Sequence, residues 1–148
     1  MSFQARLMIG SVFALSLGST AFSQAILEGG RKLQTTMTGA EEVPPGDQDG
    51  SGTATFVVNP GQRRICYTIQ VSNIEAPTAA HIHVGAAGTA PAGNIVVPLV
   101  NPADGDVEAC ADVTRELALA ILKNPSNYYI NVHNVPHPPG AVRGQLAK

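Results

Sequence analysis

Gly52-Thr53-Ala54-Thr55-Phe56-Val57-Val58 is rich in β-branched residues. It is followed by a turn signal, Asn59-Pro60-Gly61-Gln62. The side chains then alternate between two faces along Arg64-Ile65-Cys66-Tyr67-Thr68-Ile69-Gln70-Val71. In the last stretch apolar side chains occupy every second position. A period of two is typical of a strand with one buried face. Asn-Pro-Gly between two such stretches favours a turn. The whole stretch therefore predicts an antiparallel β-hairpin.

Six further segments have the composition of short strands separated by glycine and proline: 33–38, 78–84, 94–100, 107–111, 128–134 and 141–147. One helix is predicted before Asn124-Pro125, with Asp112 or Thr114 as its N-cap. Its apolar stripe is Leu117, Ala118, Ile121 and Leu122. Seven or eight short strands with such turns predict an all-β fold, a Greek-key-like antiparallel β-sandwich with one short helix.

The first 25 residues have the pattern of a secretory signal peptide. Arg6 precedes an apolar run that starts at Leu7, and Ser23-Gln24-Ala25 is a small-x-small cleavage site. The alternative is a retained N-terminal anchor, although the apolar run is short for a bilayer. We expect an exported, periplasmic or extracellular protein, with a signal peptide over 1–25 and a single domain over 26–148.

The composition excludes several classes of partner. The chain of 148 residues carries 9 basic and 11 acidic residues, a formal net charge of −2. A chain this weakly acidic lacks the basic surface that nucleic acid requires. No segment after the signal is apolar enough to span a membrane. The length suits one domain with its own core.

Cys66 and Cys110 are the only cysteines. In an exported chain an even pair predicts one disulfide. The alternative is two free thiols, one of them a copper ligand. Neither cysteine lies in a Cys-x-x-Cys or Cys/His cluster, which disfavours that alternative.

Three of the four histidines lie in two strand-like segments, Ala80–Val84 and Tyr129–His133. His81 and His83 share one face, because residues i and i+2 of a strand point the same way. If the second segment lies beside the first, His133 completes a three-imidazole metal site for copper or zinc. The alternative is that these histidines are hydrogen-bonded structural groups. His137, in a proline-rich loop, is a weaker candidate for a fourth ligand.

Longer motifs resemble the CHRD domain, a repeat first described in chordin. The resemblance covers about residues 33–147. The motifs are Gly39-Ala40-Glu41-Glu42-Val43-Pro44-Pro45, Ala80-His81-Ile82-His83-Val84-Gly85, Tyr128-Tyr129-Ile130-Asn131-Val132-His133 and Pro139-Gly140-x-x-Arg143-Gly144-Gln145-Leu146. Bacterial members look like exported single-domain proteins. The resemblance implies a non-catalytic binding or structural module of the cell envelope or extracellular matrix, with a protein or matrix partner.

A fainter resemblance is to the metal-site motifs of copper/zinc superoxide dismutases. His81-x-His83, Val132-His133 and Gly140-x-x-Arg143 occur in the same order as in those enzymes. The resemblance implies three copper-binding histidines and an arginine that guides an anion. No bridging histidine and no zinc cluster are visible in the sequence. The alternative function is therefore a copper-binding protein with copper-only dismutase-like activity.

Arg143 has a second interpretation. A guanidinium beside the core requires a partner, because charges are rarely buried unpaired. Glu41 or Glu42 is the natural partner, since the motifs that contain them lie at the two ends of the domain. We favour a structural ion pair between Arg143 and Glu42 over anion guidance.

Overall fold

The structure is a computed structural model that describes residues 29–89 and 93–148. Its strands are β1 Arg31–Thr38, β2 Ser51–Asn59, β3 Arg64–Ser72, β4 Pro77–Val84, β5 Ile95–Leu99, β6 Asp106–Asp112, β7 Tyr128–Asn134 and β8 Val142–Gln145. Helix α1 is Arg115–Lys123, and 3-10 helices lie at Gly39–Glu41 and Pro125–Asn127. The predicted signal peptide lies outside the described residues. Within the described part, no helix has the length and apolar character needed to cross a bilayer.

All eight described strands belong to one antiparallel sheet with the order β5-β4-β7-β8-β1-β2-β3-β6. Its two four-stranded halves meet where β8 lies beside β1. That junction is short, with a Thr38–Arg143 pair and an isolated Gln34–Ala147 bridge. The sheet curls into a near-barrel around one core. The predicted all-β fold with one short helix is confirmed.

The core draws apolar side chains from both halves of the sheet. The predicted period of two holds in β3, where Ile65, Tyr67, Ile69 and Val71 are buried. The central buried residues are Phe56, Tyr67 and Ile69 from one half and Ile82, Ile130 and Val132 from the other. Burial of each large aliphatic side chain stabilises the fold by about 1.5–3 kcal/mol.

Helix α1 forms as the sequence predicts, and Thr114 rather than Asp112 is its cap. The Thr114 hydroxyl accepts a hydrogen bond from the backbone N–H of Leu117 at 3.1 Å. This bond satisfies one of the free N–H groups of the first turn. Ala118 and Ile121 are buried against the sheet. The helix ends before Asn124, and Pro125 follows.

The predicted disulfide joins Cys66 to Cys110. The two residues are directly opposite each other in the register of β3 and β6. The bond therefore fastens β6, at the edge of the sheet, to β3 of the β2–β3 hairpin.

Loss of this disulfide should lower the free energy of unfolding by about 3–4 kcal/mol, because it removes a constraint on the unfolded chain across a separation of 44 residues. The measurement is denaturant unfolding of the oxidised protein and of the double variant Cys66→Ala/Cys110→Ala. Reduced wild-type protein is the matched control and should unfold at the same midpoint as the double variant. Equal midpoints for all three samples would contradict the expectation.

Candidate metal centre

The pairing of β4 with β7 sorts polar and apolar side chains onto opposite faces of the sheet. His81 lies opposite Asn131, and His83 lies opposite Tyr129. Between these pairs Ile82 lies opposite Ile130, and both are buried in the core. Since alternate residues share a face, the outer face of the two strands carries the histidines.

The structure brings the three predicted histidines together. One ring nitrogen from each of His81, His83 and His133 lies within 4.8 Å of the other two. Nδ1 of His81 is 3.1 Å from Nε2 of His133. The ring centroid of His81 is 5.6 Å from that of His83 and 5.0 Å from that of His133. The face, the strand pairing and the convergence are those that the sequence predicts.

His83 has a defined tautomer. Its Nδ1 is 2.6 Å from the carbonyl oxygen of Gly93. A carbonyl can only accept, so Nδ1 carries the proton and donates it. Nε2 is then an unprotonated acceptor. The side chain is buried, with 4% of the residue exposed, and Nε2 has no hydrogen-bond partner.

His133 is fixed in the same way from another loop. Its Nδ1 donates to the carbonyl oxygen of Pro138 at 2.9 Å, which leaves Nε2 of the neutral ring unprotonated. Burial lowers the pKa of both His81 and His133, and for His81 the neighbouring histidines lower it further. Neutral imidazole is the form that binds a metal ion. The electrostatics of the site therefore favour metal binding near pH 7.

A buried carboxylate lies behind the histidines. Glu42 is 5% exposed, and its side chain is hydrogen-bonded to that of Asn131. Burial raises the pKa of Glu42 to about 7, although the bond to Asn131 and the charge of Arg143 lower it. The carboxylate occupies space beside Gly140, where a Cβ atom would overlap it. Gly140 also has φ +150°, a conformation that favours glycine.

Arg143 is 2% exposed and is held by main-chain oxygens. Nη2 donates to the carbonyl of Ala86 at 2.9 Å and Nη1 to that of Thr89 at 3.3 Å. Its guanidinium carbon lies 3.5 Å from the ring centroid of Tyr129, and that ring stacks on His83 at 4.9 Å. Arg143 thus anchors the loop after β4 and contacts the histidine site through an aromatic ring.

The relation between Arg143 and Glu42 is electrostatic. The charge of Arg143 lowers the pKa of Glu42. Among the described residues, ion pairs within 4.0 Å involve other groups, namely Arg64 with Asp112 and His137 with Asp47. A structural role for Arg143 together with Glu42 therefore stays a prediction.

His137, the weaker candidate ligand, lies outside the group of three histidines. Its Nε2 is 3.9 Å from Oδ2 of Asp47, and its backbone N–H donates to the side chain of Asn134. The loop that contains His137 contributes two main-chain oxygens to the site. The Pro138 carbonyl accepts a hydrogen bond from His133, and the Pro139 carbonyl accepts one from Asn131 Nδ2 at 3.3 Å.

Sequence reasoning missed Asn131 as a member of the site. Asn131 is two residues before His133 in β7 and therefore shares its face. The same period that joins His81 to His83 could have identified it. The orienting carbonyls of Gly93, Pro138 and Pro139 leave no such signal, because any residue type supplies a backbone oxygen.

Comparison with known proteins gives one match. The family model described as CHRD domain matches residues 33–146. No curated protein and no solved structure matches the chain. The matched span includes all eight described strands except the first two residues of β1.

The contribution of Glu42 to the free energy of unfolding should fall as the pH rises from about 4.5 to about 7. Its pKa is higher in the folded state than the ordinary value of 4.5, so the folded state binds more protons in this window. Glu42→Gln removes that contribution. Relative to wild type, the free energy of unfolding of the variant should increase by about 2 kcal/mol between pH 4.5 and pH 8. This is less than the full pKa shift of Glu42 would give if water did not screen its carboxyl group.

The measurement is denaturant unfolding at several pH values with a chelator present. His81 and His133 change stability in the opposite direction, because their lowered pKa values favour the folded state above about pH 6.5. Both proteins contain these histidines, so their effect cancels in the difference. A difference that does not change with pH would contradict the assignment to Glu42.

Proposed function

The chain belongs to the CHRD domain family, and we propose that it is an exported, non-catalytic binding module that holds one transition-metal ion on His81, His83 and His133. Membership of the CHRD family supports the role of a binding module, and the three converging imidazoles support the metal site. The disulfide and the family are consistent with an exported protein, and the signal-like N-terminus adds to that argument. Its partner would be a component of the cell envelope or extracellular matrix.

The observation that carries the metal site is the state of His83. A buried acceptor without a partner costs about 1–3 kcal/mol, so such atoms are rare and call for an explanation. His83 Nε2 is such an atom, and its Nδ1–H is fixed by the Gly93 carbonyl. Metal-binding histidines commonly donate their second ring N–H to a carbonyl or carboxylate in this way. His133 repeats the arrangement with Pro138.

The distances fit a first-row metal ion. Copper or zinc bonds to imidazole nitrogen measure about 2.0–2.1 Å, which places ligand nitrogens about 3–4 Å apart. His81 and His133 already have nitrogens 3.1 Å apart, and the full set lies within 4.8 Å. A shift of about 1 Å, within the reach of small side-chain rotations, brings the third nitrogen to bonding distance. Imidazole ligands suit copper and zinc better than magnesium or calcium.

Purified protein should bind one equivalent of copper per chain. His81→Ala, His83→Ala and His133→Ala should each lower the affinity at least tenfold, because each removes a ligand. The measurement is a competition titration against a chromogenic chelator, with elemental analysis of protein purified from the periplasm or medium. His137→Ala is the matched control, since it removes a histidine from outside the cluster.

Folding is tested separately. His81 is half-buried, so His81→Ala should leave a folded, disulfide-bonded domain. The circular dichroism spectrum and the intact mass with and without reductant test this. If wild-type protein takes up no copper or zinc, the metal site is wrong. If His81→Ala unfolds the domain, the histidines have the structural role instead.

A second candidate function is copper-only superoxide dismutase-like activity, favoured by the half-exposure of His81 and His133. An ion at this position would have one side open to a small anion. Arg143 gives less support, because its guanidinium is buried against carbonyl oxygens and the Tyr129 ring.

The two functions predict different results with copper-loaded protein. A binding module should show no more superoxide dismutation than free copper treated with the same chelator. The dismutase alternative predicts turnover that persists after unbound copper is removed and disappears in His133→Ala. The measurement is superoxide decay followed at several protein concentrations, with metal-free protein as the baseline.

A further inference from the structure

We infer that Asn131 supplies a fourth ligand atom, its side-chain oxygen Oδ1, to this metal site, and that Glu42 positions that oxygen. The inference rests on the proposed function. It predicts a site of three imidazole nitrogens and one amide oxygen, which is a donor set for copper rather than for a purely oxygen-seeking cation.

Asn131 lies beside two of the three histidines. It is directly opposite His81 in the register of β4 and β7, and it is two residues from His133 on the same face. Only 1% of the residue is exposed. Its Oδ1 lies 3.1 Å from Nε2 of His133. The amide oxygen therefore shares the space into which the ring nitrogens converge.

The orientation of the amide follows from the groups on its other side. Nδ2 of Asn131 lies 3.3 Å from the carbonyl oxygen of Pro139, and the side chain is hydrogen-bonded to the carboxylate of Glu42. The Pro139 carbonyl only accepts hydrogen bonds, and so does the ionised carboxylate of Glu42. The NH₂ group must therefore face them, which turns Oδ1 toward the histidines.

This orientation leaves two acceptors face to face. His133 Nε2 carries no proton, because Nδ1 donates to Pro138, and Asn131 Oδ1 has only lone pairs. Nδ1 of His81 lies 3.1 Å from His133 Nε2; when it carries the ring proton it can donate to only one of the two acceptors, and when a metal is bound it is itself an unprotonated ligand. A cation satisfies both. With bonds of about 2.1 Å to each atom, their separation gives an angle of about 95° at the metal, which lies within normal coordination geometry.

Glu42 acts on the site through Asn131 and is a positioning residue. Glu42 directly follows the 3-10 helix at Gly39–Glu41, and its carboxylate lies beside Gly140, where no Cβ atom occupies the space. Without this acceptor, the Pro139 carbonyl alone holds the NH₂ group. A glutamine at position 42 retains an acceptor oxygen for Asn131, whereas an alanine does not.

The test compares Asn131→Ala and Asn131→Asp with wild type, and Glu42→Ala with Glu42→Gln. Each protein is loaded with one equivalent of Cu(II). The dissociation constant is measured by chelator competition, and the ligand set by electron paramagnetic resonance. Asn101→Ala is the matched control, because Asn101 also binds a proline carbonyl, that of Pro77, through its amide nitrogen but lies outside the site.

Asn131→Ala should weaken Cu(II) binding about tenfold or more and change the g and hyperfine values, because an oxygen ligand is lost. Asn131→Asp, which keeps an oxygen there, should retain binding. Glu42→Ala should reproduce part of the change, and Glu42→Gln should restore the wild-type spectrum. Asn101→Ala should match wild type, and circular dichroism confirms that each variant is folded.

Two outcomes overturn the inference while the proposed function stands. An unchanged affinity and spectrum in Asn131→Ala would place the residue outside the site. A weaker affinity with an unchanged spectrum would show that Asn131 only orients His133. Failure of wild-type protein to bind copper at all is a different result and removes the metal site itself.

Discussion

The pairing of β4 with β7 is the constraint on which both the core and the candidate site depend. In this register Ile82 faces Ile130 inside the near-barrel, while His81 faces Asn131 outside it. A slip of one residue would send imidazoles into the core and isoleucines to the outer face. The apolar burial that stabilises the fold therefore also fixes the positions of the histidines. Site geometry and core packing are two results of one hydrogen-bond ladder.

Hydrogen bonds to two loops define which ring nitrogens of the histidines on this polar face carry a proton. A polar group removed from water requires a partner, and backbone carbonyls from two different loops supply those partners. The Gly93 carbonyl accepts a hydrogen bond from Nδ1 of His83, and the Pro138 carbonyl accepts one from Nδ1 of His133. Both rings then turn an unprotonated Nε2 inward. The loop after β4 is held in turn by Arg143, so a buried cation remote from the imidazoles supports their orientation.

The sequence predicts the local features of this protein well. The period of two identifies β3, and the alternation in Ala80–Val84 puts His81 and His83 on one face. The start of α1 is predicted to within two residues, with Asp112 or Thr114 as the cap. The contacts that complete the site are non-local. The Glu42–Asn131 hydrogen bond joins residues far apart in the chain, and Gly93 contributes only a backbone oxygen. No local sequence pattern predicts the pairing of β8 with β1 or the hydrogen bonds from Arg143 to the loop carbonyls. Both depend on how the sheet closes.

The charges around the site limit which metal chemistry it can support. The proposed ligands are three neutral imidazoles and a neutral amide, so none of them offsets the charge of a divalent ion. Glu42 contacts Asn131 and Arg143 lies over the Tyr129 ring, so neither charged group is one of the proposed ligands. A fully buried Cu(II) would keep most of its desolvation penalty in such surroundings. Because His81 and His133 are half-exposed, water or an anion can reach the ion and lower that cost.

The burial of Cu(I) costs less free energy, because the ion carries one charge and prefers few ligands, either soft donors or imidazoles. On charge alone the neutral ligand set favours the reduced ion in a closed site, whereas the amide oxygen of Asn131 and an exogenous ligand on the open side favour the oxidised ion.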